Sequence, residues 1–339
     1  MLKNNFLKDD IIIRKGILHI LDSEKGCLGL ATNMMDMGPD LYDMIRDQLY
    51  KILDNDEKIK CKLQENTTIG KTIMAFDEAD DEKFIQATRT MADQLFDIMC
   101  DSVQIPSADL LCVSFQLSSN IYLALLKMNY KPTYRHHQNK DDVTDIVKQN
   151  VIQSGKPTEA IIFDLAERKD VYLVQKKYEM LNGDKCNYLS ERFLQCYADI
   201  SPKRKFQILN KTIMGIINRI EIQNGLEKQL DKKKAFYDQF MDDGMFNVNK
   251  IGDELFGNQA DSIAAYNEKM EHYDMQYGEF EVVKDSTVNS LNYQQIETDT
   301  GVVIKIPMEI FEESGIEVKE NKMDGTTSLT VTFETAKLK

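Results

Sequence analysis

The chain has 339 residues and a formal charge of −14, with 42% hydrophobic and 29% charged residues. That length allows two domains of ordinary size, and the composition belongs to a globular chain rather than a disordered one. A pI near 4.9 excludes indiscriminate adhesion to DNA or anionic membranes, so any polyanion contact has to be confined to a patch.

No run approaches the roughly 18 apolar residues of a membrane span, and the N-terminus MLKNNFLKDD has no apolar signal core. The six cysteines, at 27, 61, 100, 112, 186 and 196, contain no C-x-x-C spacing. They read as reduced thiols of a cytosolic protein.

Residues 11–21 (IIIRKGILHIL) predict a strand, residues 22–26 a turn and residues 27–31 a returning strand. His19 reads as a packed strand residue. Pro39 opens a helix through about residue 53, with Leu41, Ile45, Leu49 and Ile52 on one face. Residues 54–81 are polar, a loop with some helix. Their acidic knot (Asp77, Glu78, Asp80, Asp81 and Glu82) lacks ligand-spaced partners and reads as a solvated cap on the next helix, residues 84–100.

DLLCVSFQ at 109–116 and IYLALLKM at 121–128 predict a buried hairpin, and further strands begin near Ala160 (AIIFD) and Val171 (VYLVQKKYE). The fold class expected is therefore α+β. An N-terminal domain, residues 1–182, carries a mainly antiparallel sheet with packed helices. A C-terminal domain, residues 187–339, carries a long basic helix (about 202–240), short helices and a small terminal β-hairpin.

That helix concentrates the positive charge. Ser201 and Pro202 form a helix start, and Phe206, Leu209, Ile213, Ile216, Ile217 and Ile220 mark one face at the 3.6-residue period. Lys203, Arg204, Lys205, Lys211, Arg219, Lys228, Lys232, Lys233 and Lys234 oppose only Glu221, Glu227 and Asp231. The segment is +6 and everything else sums to −20. Such a localised field suits a polyanion, although lysines on a solvated helix face are the plain alternative. Lys203, Arg204 and Lys205 also crowd the helix N-terminus against the macrodipole, where phosphate binds well.

A second basic cluster combines Lys127, Lys131, Arg135, His136, His137 and Lys140 with Tyr130 and Tyr134, in a loop following the hairpin. It suits a nucleic-acid backbone or is an ordinary surface loop. Residues 246–274 read as two short helices around Gly257-Asn258. Acids on the second (Asp261, Glu268, Glu271 and Asp274) favour simple packing over insertion in a major groove. Residues 302–306, 316–320 and 328–333 read as terminal strands with a turn at Asp324-Gly325.

Phosphate-loop, dinucleotide, zinc-protease and nucleophile-elbow motifs are all missing from the sequence, so no catalytic residue, metal or cofactor is expected. One arrangement points elsewhere. Asp164 ends an apolar strand, and Gln175 stands two residues before Lys177 on the next. A strand carboxylate, a hairpin, then an acid or amide before a lysine is a layout of Mg²⁺ nucleases. Here Gln175 replaces the second carboxylate, which weakens metal affinity, and a structural hairpin is preferred.

The ordered series IIIRKGILHILD, FIQATRTMADQLFDIM, IPSADLLCVSF, YLALLKMNYK, AIIFDLAERKDVYLVQKKYE and NYLSERFLQCYADISPKRKFQILNKTI resembles the bacterial nucleoid-associated protein family called NdpA or YejK. The resemblance covers roughly residues 11–224 and is looser beyond. It implies a non-enzymatic protein of the cytoplasm and nucleoid that binds double-stranded DNA with little sequence preference as a homodimer. It fixes no DNA contact residue by residue. The rival expectations are the metal-dependent nuclease of Asp164, Gln175 and Lys177, and an acidic scaffold for a DNA-processing protein partner.

Overall fold

The structure, a computed structural model, describes residues 6–138, 144–152, 155–220, 225–243, 245–282, 285–308, 316–321 and 326–331. The chain forms two compact units, Met1–Ser201 and Pro202–Lys339.

The first unit is built on strands β1 (Ile11–Asp22), β2 (Cys27–Gly29), β3 (Ile59–Lys62), β4 (Ala108–Leu117), β5 (Asn120–Gln138), β6 (Thr144–Ile152), β7 (Ala160–Asp164) and β8 (Asp170–Val174). They form one antiparallel sheet in the order β2-β1-β4-β5-β7-β8-β3, with β6 paired to the outer part of β5. The fold is mixed α+β, and the sequence-level hairpin 109–128 appears with Leu117 opposite Asn120.

Helix α1 (Pro39–Leu53) covers one face of the sheet, packing Ile45, Leu49, Ile52 and Leu53 on Leu111, Val113, Phe115, Ala124 and Ile162. Helices α2 (Thr68–Ala75) and α3 (Asp81–Cys100) cover the other. There Ile73, Phe84, Met91 and Leu95 meet Ile17, Cys112, Leu125 and Phe163. A strand buried on both faces takes apolar residues on both, which is why β4, the inner part of β5, β7 and β8 read as mainly apolar runs rather than alternating ones.

The acidic knot acts as a helix cap. The Asp80 side chain accepts the Glu82 and Lys83 backbone N–H groups, while Asp81 and Glu78 pair with Lys15 and Arg14 of β1 at 2.6 and 3.0 Å. His19 is fully buried, its Nδ1 accepting the Ala31 N–H at 3.2 Å.

Residues 187–201, which the sequence reading gave to the C-terminal domain, belong to the first unit. The reason is apolar burial: Tyr188, Leu189, Phe193 and Leu194 are inserted in the core beneath α3. Two short strands, β9 (Tyr178–Glu179) and β10 (Lys185–Cys186), lead into this segment.

Cys112 is buried, and burial pushes its thiol well above the ordinary range, whereas Cys27 and Cys100 are exposed. Only thiolate is nucleophilic. Burial and the Asp97 and Asp101 carboxylates also raise the Cys100 thiol, so brief alkylation of the native protein with iodoacetamide is expected to label Cys27 first, Cys100 more slowly, and to spare Cys112 until denaturant is added, as read by peptide mass spectrometry.

The second unit opens with α4 (Pro202–Ile220) and α5 (Leu226–Asp243). The single long helix expected over about 202–240 is thus two helices, and Gly225 between them sits at φ +90°, a conformation that a continuing α-helix of L-residues does not hold.

Strand β11 (Met245–Asn247) follows, then α6 (Val248–Phe256), α7 (Ala260–His272), β12 (Glu279–Glu281), the short α8 (Asp285–Val288), and hairpins β13 (Tyr293–Glu297)–β14 (Val303–Pro307) and β15 (Ile316–Asn321)–β16 (Thr326–Val331). The turn at Asp324-Gly325 lies outside the described residues. The core is aromatic: Phe246 touches Phe206, Phe236 and Phe280 at ring separations of 5.4, 5.9 and 5.2 Å.

Helices α6 and α7 pack on each other closely. A methyl group on Gly252 would lie 2.4 Å from the Tyr266 ring, and Tyr266 donates its hydroxyl to the Val248 carbonyl at 2.7 Å. The acids of α7 stay in solvent. This is the packing expected in place of a groove-reading helix pair.

Candidate nucleic-acid interface

Helix α4 carries no acidic residue along its 19 positions. Its inner face buries Phe206, Leu209, Ile213 and Ile217. Its outer face is a stripe of exposed residues: Arg204, Gln207, Lys211, Gly215, Asn218 and Arg219. From Arg204 to Arg219 the stripe spans about 22 Å at ~1.5 Å per residue.

Arg204 leans on Gln207 at 3.3 Å, while Lys211 and Arg219 form no ion pair among the described residues. Beyond the local backbone of α4, no atom of the described residues lies within 4 Å of where a Gly215 side chain would begin. The backbone there is open to close approach by a large ligand. Lys203 and Lys205 are half-buried beside the stripe, and Lys228 on α5 is exposed.

The three lysines ending the predicted basic segment are spent inside the unit. Lys232 donates to Gln259 Oε1 at 2.8 Å and lies 4.9 Å from the centre of the Phe256 ring. Lys233 donates to the Tyr293 carbonyl at 2.9 Å, and burial pulls its ammonium below the ordinary lysine range. Lys234 pairs with Asp238 at 2.8 Å. Lys232 and Lys233 brace α5 against its neighbours, and Lys234 is held along α5 itself.

The second cluster divides as well. Lys127 is no surface residue: at 4% exposure its ammonium lies 3.3 Å from Glu159 Oε2 and 3.0 Å from the Pro106 carbonyl. It belongs to the core because β5 alternates, and position 127 shares the α3-facing side with Leu123 and Leu125.

Lys131 and Arg135 are exposed, but on a strand rather than a loop. They lie on the part of β5 that pairs with β6. The side chain of His137 and all of Lys140 lie outside the described residues. Sequence reasoning missed Lys148, which faces solvent on β6 across from Tyr134. The alternation Ile146, Lys148, Asn150, Ile152 was its only signal.

The nuclease layout does not assemble. In the β7–β8 ladder Ala160 faces Val174 and Phe163 faces Val171. Asp164 and Gln175 therefore lie at opposite ends of the hairpin, roughly 16 Å apart at ~3.3 Å per residue. Asp164 Oδ1 accepts the Ala166 and Glu167 N–H groups of the connecting turn, and Gln175 Oε1 accepts the Ser190 N–H at 3.1 Å. Among the described residues no group of three or more His, Cys, Asp or Glu side chains could hold a metal ion.

Residues 17–332 match the family described as Nucleoid-associated protein YejK. The chain belongs to that family. No curated protein matches the chain. The family match runs through both compact units of this YejK-family chain, from within β1 to the end of β16. None of its described helices is long and apolar enough to cross a membrane.

Proposed function

We propose that this YejK-family protein binds the backbone of double-stranded DNA through α4, with little sequence preference, as a homodimer on the nucleoid in the cytoplasm. The carrying observation is the acid-free helix with Arg204, Lys211 and Arg219 on its solvent stripe, in a chain of charge −14. Cations there neutralise phosphates and release counterions, and they read backbone rather than base edges. A dimer presents the stripe twice, which raises avidity through effective concentration. No chemistry on the DNA is part of this reading.

Fluorescence anisotropy of a labelled random-sequence duplex tests it. Wild type is expected to bind with log affinity falling steeply against log salt. Arg204→Glu/Lys211→Glu/Arg219→Glu is expected to bind at least about tenfold more weakly, its slope shallower by about 0.9 for each phosphate that is no longer neutralised. Equal binding by both proteins would remove α4 from the interface.

The exposed acids on and just after α7 (Asp261, Glu268, Glu271 and Asp274) favour a second reading, in which that face receives a basic, DNA-processing protein partner. Failure of wild type to bind DNA even at low salt would leave this reading in place of the first.

A further inference from the structure

Beyond Tyr130, β5 leaves the covered part of the sheet and continues with β6 as a two-stranded ribbon. Nine cross-strand pairs, from Tyr130–Ile152 to Gln138–Thr144, hold it, about 30 Å of ladder at ~3.4 Å per residue. An isolated two-stranded ribbon is marginal in water, and exposed apolar side chains on it cost solubility. This one nevertheless leaves Tyr134 69% and Ile146 71% exposed.

Its cations are also left over. Lys131, Arg135 and Lys148 are exposed and form no ion pair among the described residues. By contrast, Lys60 and Lys62 at the sheet edge both close on Asp170.

The register sorts these residues by face. Cross-strand partners share a face and faces alternate along a strand. Lys131 and Arg135, paired with Val151 and Val147, lie on one face. Tyr134 and His136, paired with Lys148 and Ile146, lie on the other. A ribbon with cations on both faces is matched to a slot with negative walls on both sides. A DNA groove is such a slot, and the major groove, about 12 Å wide, admits a two-stranded β-ribbon.

Near the base, the Tyr130 hydroxyl donates to Asp109 at 2.5 Å, and Asp22 and Glu24 stand close by. Those acids repel phosphate. They keep phosphate off Tyr130, while Lys148 lines the same cavity and Asp145 stands exposed farther out on β6.

We propose that the β5–β6 ribbon is a second DNA-gripping element that lies in a groove of the duplex, with Lys131 and Arg135 toward one phosphate backbone and Lys148, with Tyr134 and Ile146 beside it on the same face, toward the other. This rests on the DNA reading of the previous subsection and adds to it an element that α4 does not supply.

The chain contains no tryptophan, so Tyr134→Trp places a single indole reporter on the ribbon. Its emission is expected to change on addition of the random-sequence duplex, along the same curve as anisotropy. Lys131→Glu/Arg135→Glu/Lys148→Glu, with circular dichroism unchanged, is expected to lower affinity at least about tenfold and the salt slope by about 0.9 for each phosphate left without its cation. Unaltered affinity in this variant, or an indole signal that stays flat while anisotropy rises, overturns the ribbon assignment and leaves the DNA reading standing. The same two results are the ones expected if the ribbon serves a protein partner instead. Absence of binding by wild type overturns both.

Discussion

Lys127→Ala is expected to destabilise the first unit by about 3–5 kcal/mol, the usual cost of stranding one member of a buried ion pair. Glu159 is fully buried and accepts from Tyr188 at 2.5 Å, Asn129 at 2.9 Å, Tyr178 at 3.2 Å and the Lys127 ammonium at 3.3 Å. Lys127 in turn satisfies the Pro106 carbonyl and Asn129 Oδ1 at 3.0 and 2.5 Å. Burial pulls the lysine's proton affinity down, and Glu159 opposes that pull. With the lysine gone, the carboxylate keeps three neutral donors but loses the one charged partner among these four, in a place without bulk water.

The urea midpoint should fall with the m-value unchanged. DNA binding of the folded variant should match wild type, because the ammonium never reaches the surface. A Lys127→Ala protein of normal stability and weak DNA binding would contradict both halves of this expectation.

Acid should destabilise the protein through His19, by an amount on the order of 3 kcal/mol between pH 6.5 and 4. Desolvation by burial, aided by the charge of Arg89, lowers this imidazole from 6.5 to about 4. In the native state Nδ1 accepts the Ala31 N–H, and Nε2 has no hydrogen-bond partner among the described residues. The neutral ring fits, and a second ring proton would have to displace the Ala31 bond.

The folded pKa lies below the unfolded one, so across that window the unfolded chain takes up a proton that the folded chain refuses. Stability is full above pH 6.5 and drains as pH falls toward 4. Asn at this position offers an oxygen near the place of Nδ1 and does not titrate. His19→Asn is expected to flatten the dependence of the urea midpoint on pH across this window. Parallel curves for the two proteins would show that another group carries the acid sensitivity.

The parts of the fold that were plain in the sequence are those where burial repeats. DLLCVSFQ, YLALLKM and AIIFD are mainly apolar without alternation because helices cover both sides of the sheet, and α1 and α4 announce themselves by Pro39 and Pro202 ahead of a 3.6-residue stripe. Elements without such burial were silent. β3 is four residues of alternating lysine, and β6 is a solvated strand of mixed polarity. Each is a strand because a neighbour supplies its hydrogen bonds, which local composition does not record.

Charge was legible in amount and misleading in availability. A lysine inside LALLKM hints at a buried partner, yet Glu159 lies 32 positions away. The run Lys232–Lys233–Lys234 looks like a solvated patch, yet its hydrogen bonds go to Gln259, the Tyr293 carbonyl and Asp238. The α4 stripe was readable because helical spacing alone separates Arg204, Lys211 and Arg219 from the buried face.

The two ends of the main sheet bear on how copies of this chain can associate. At one end β2 is only three residues long. At the other, residues 198 and 199 already occupy β3, through the Cys61–Ala198 bridge and the Asp199 N–H to the Lys60 carbonyl at 2.9 Å. Open strand edges are the usual route to runaway polymerisation, and shortening or covering them is the usual defence. A second copy therefore gains little by adding a strand at β2 or at β3. If copies pair as proposed above, side-chain surfaces are what they would join, and a closed pair of defined size would result rather than sheet-by-sheet growth along the DNA.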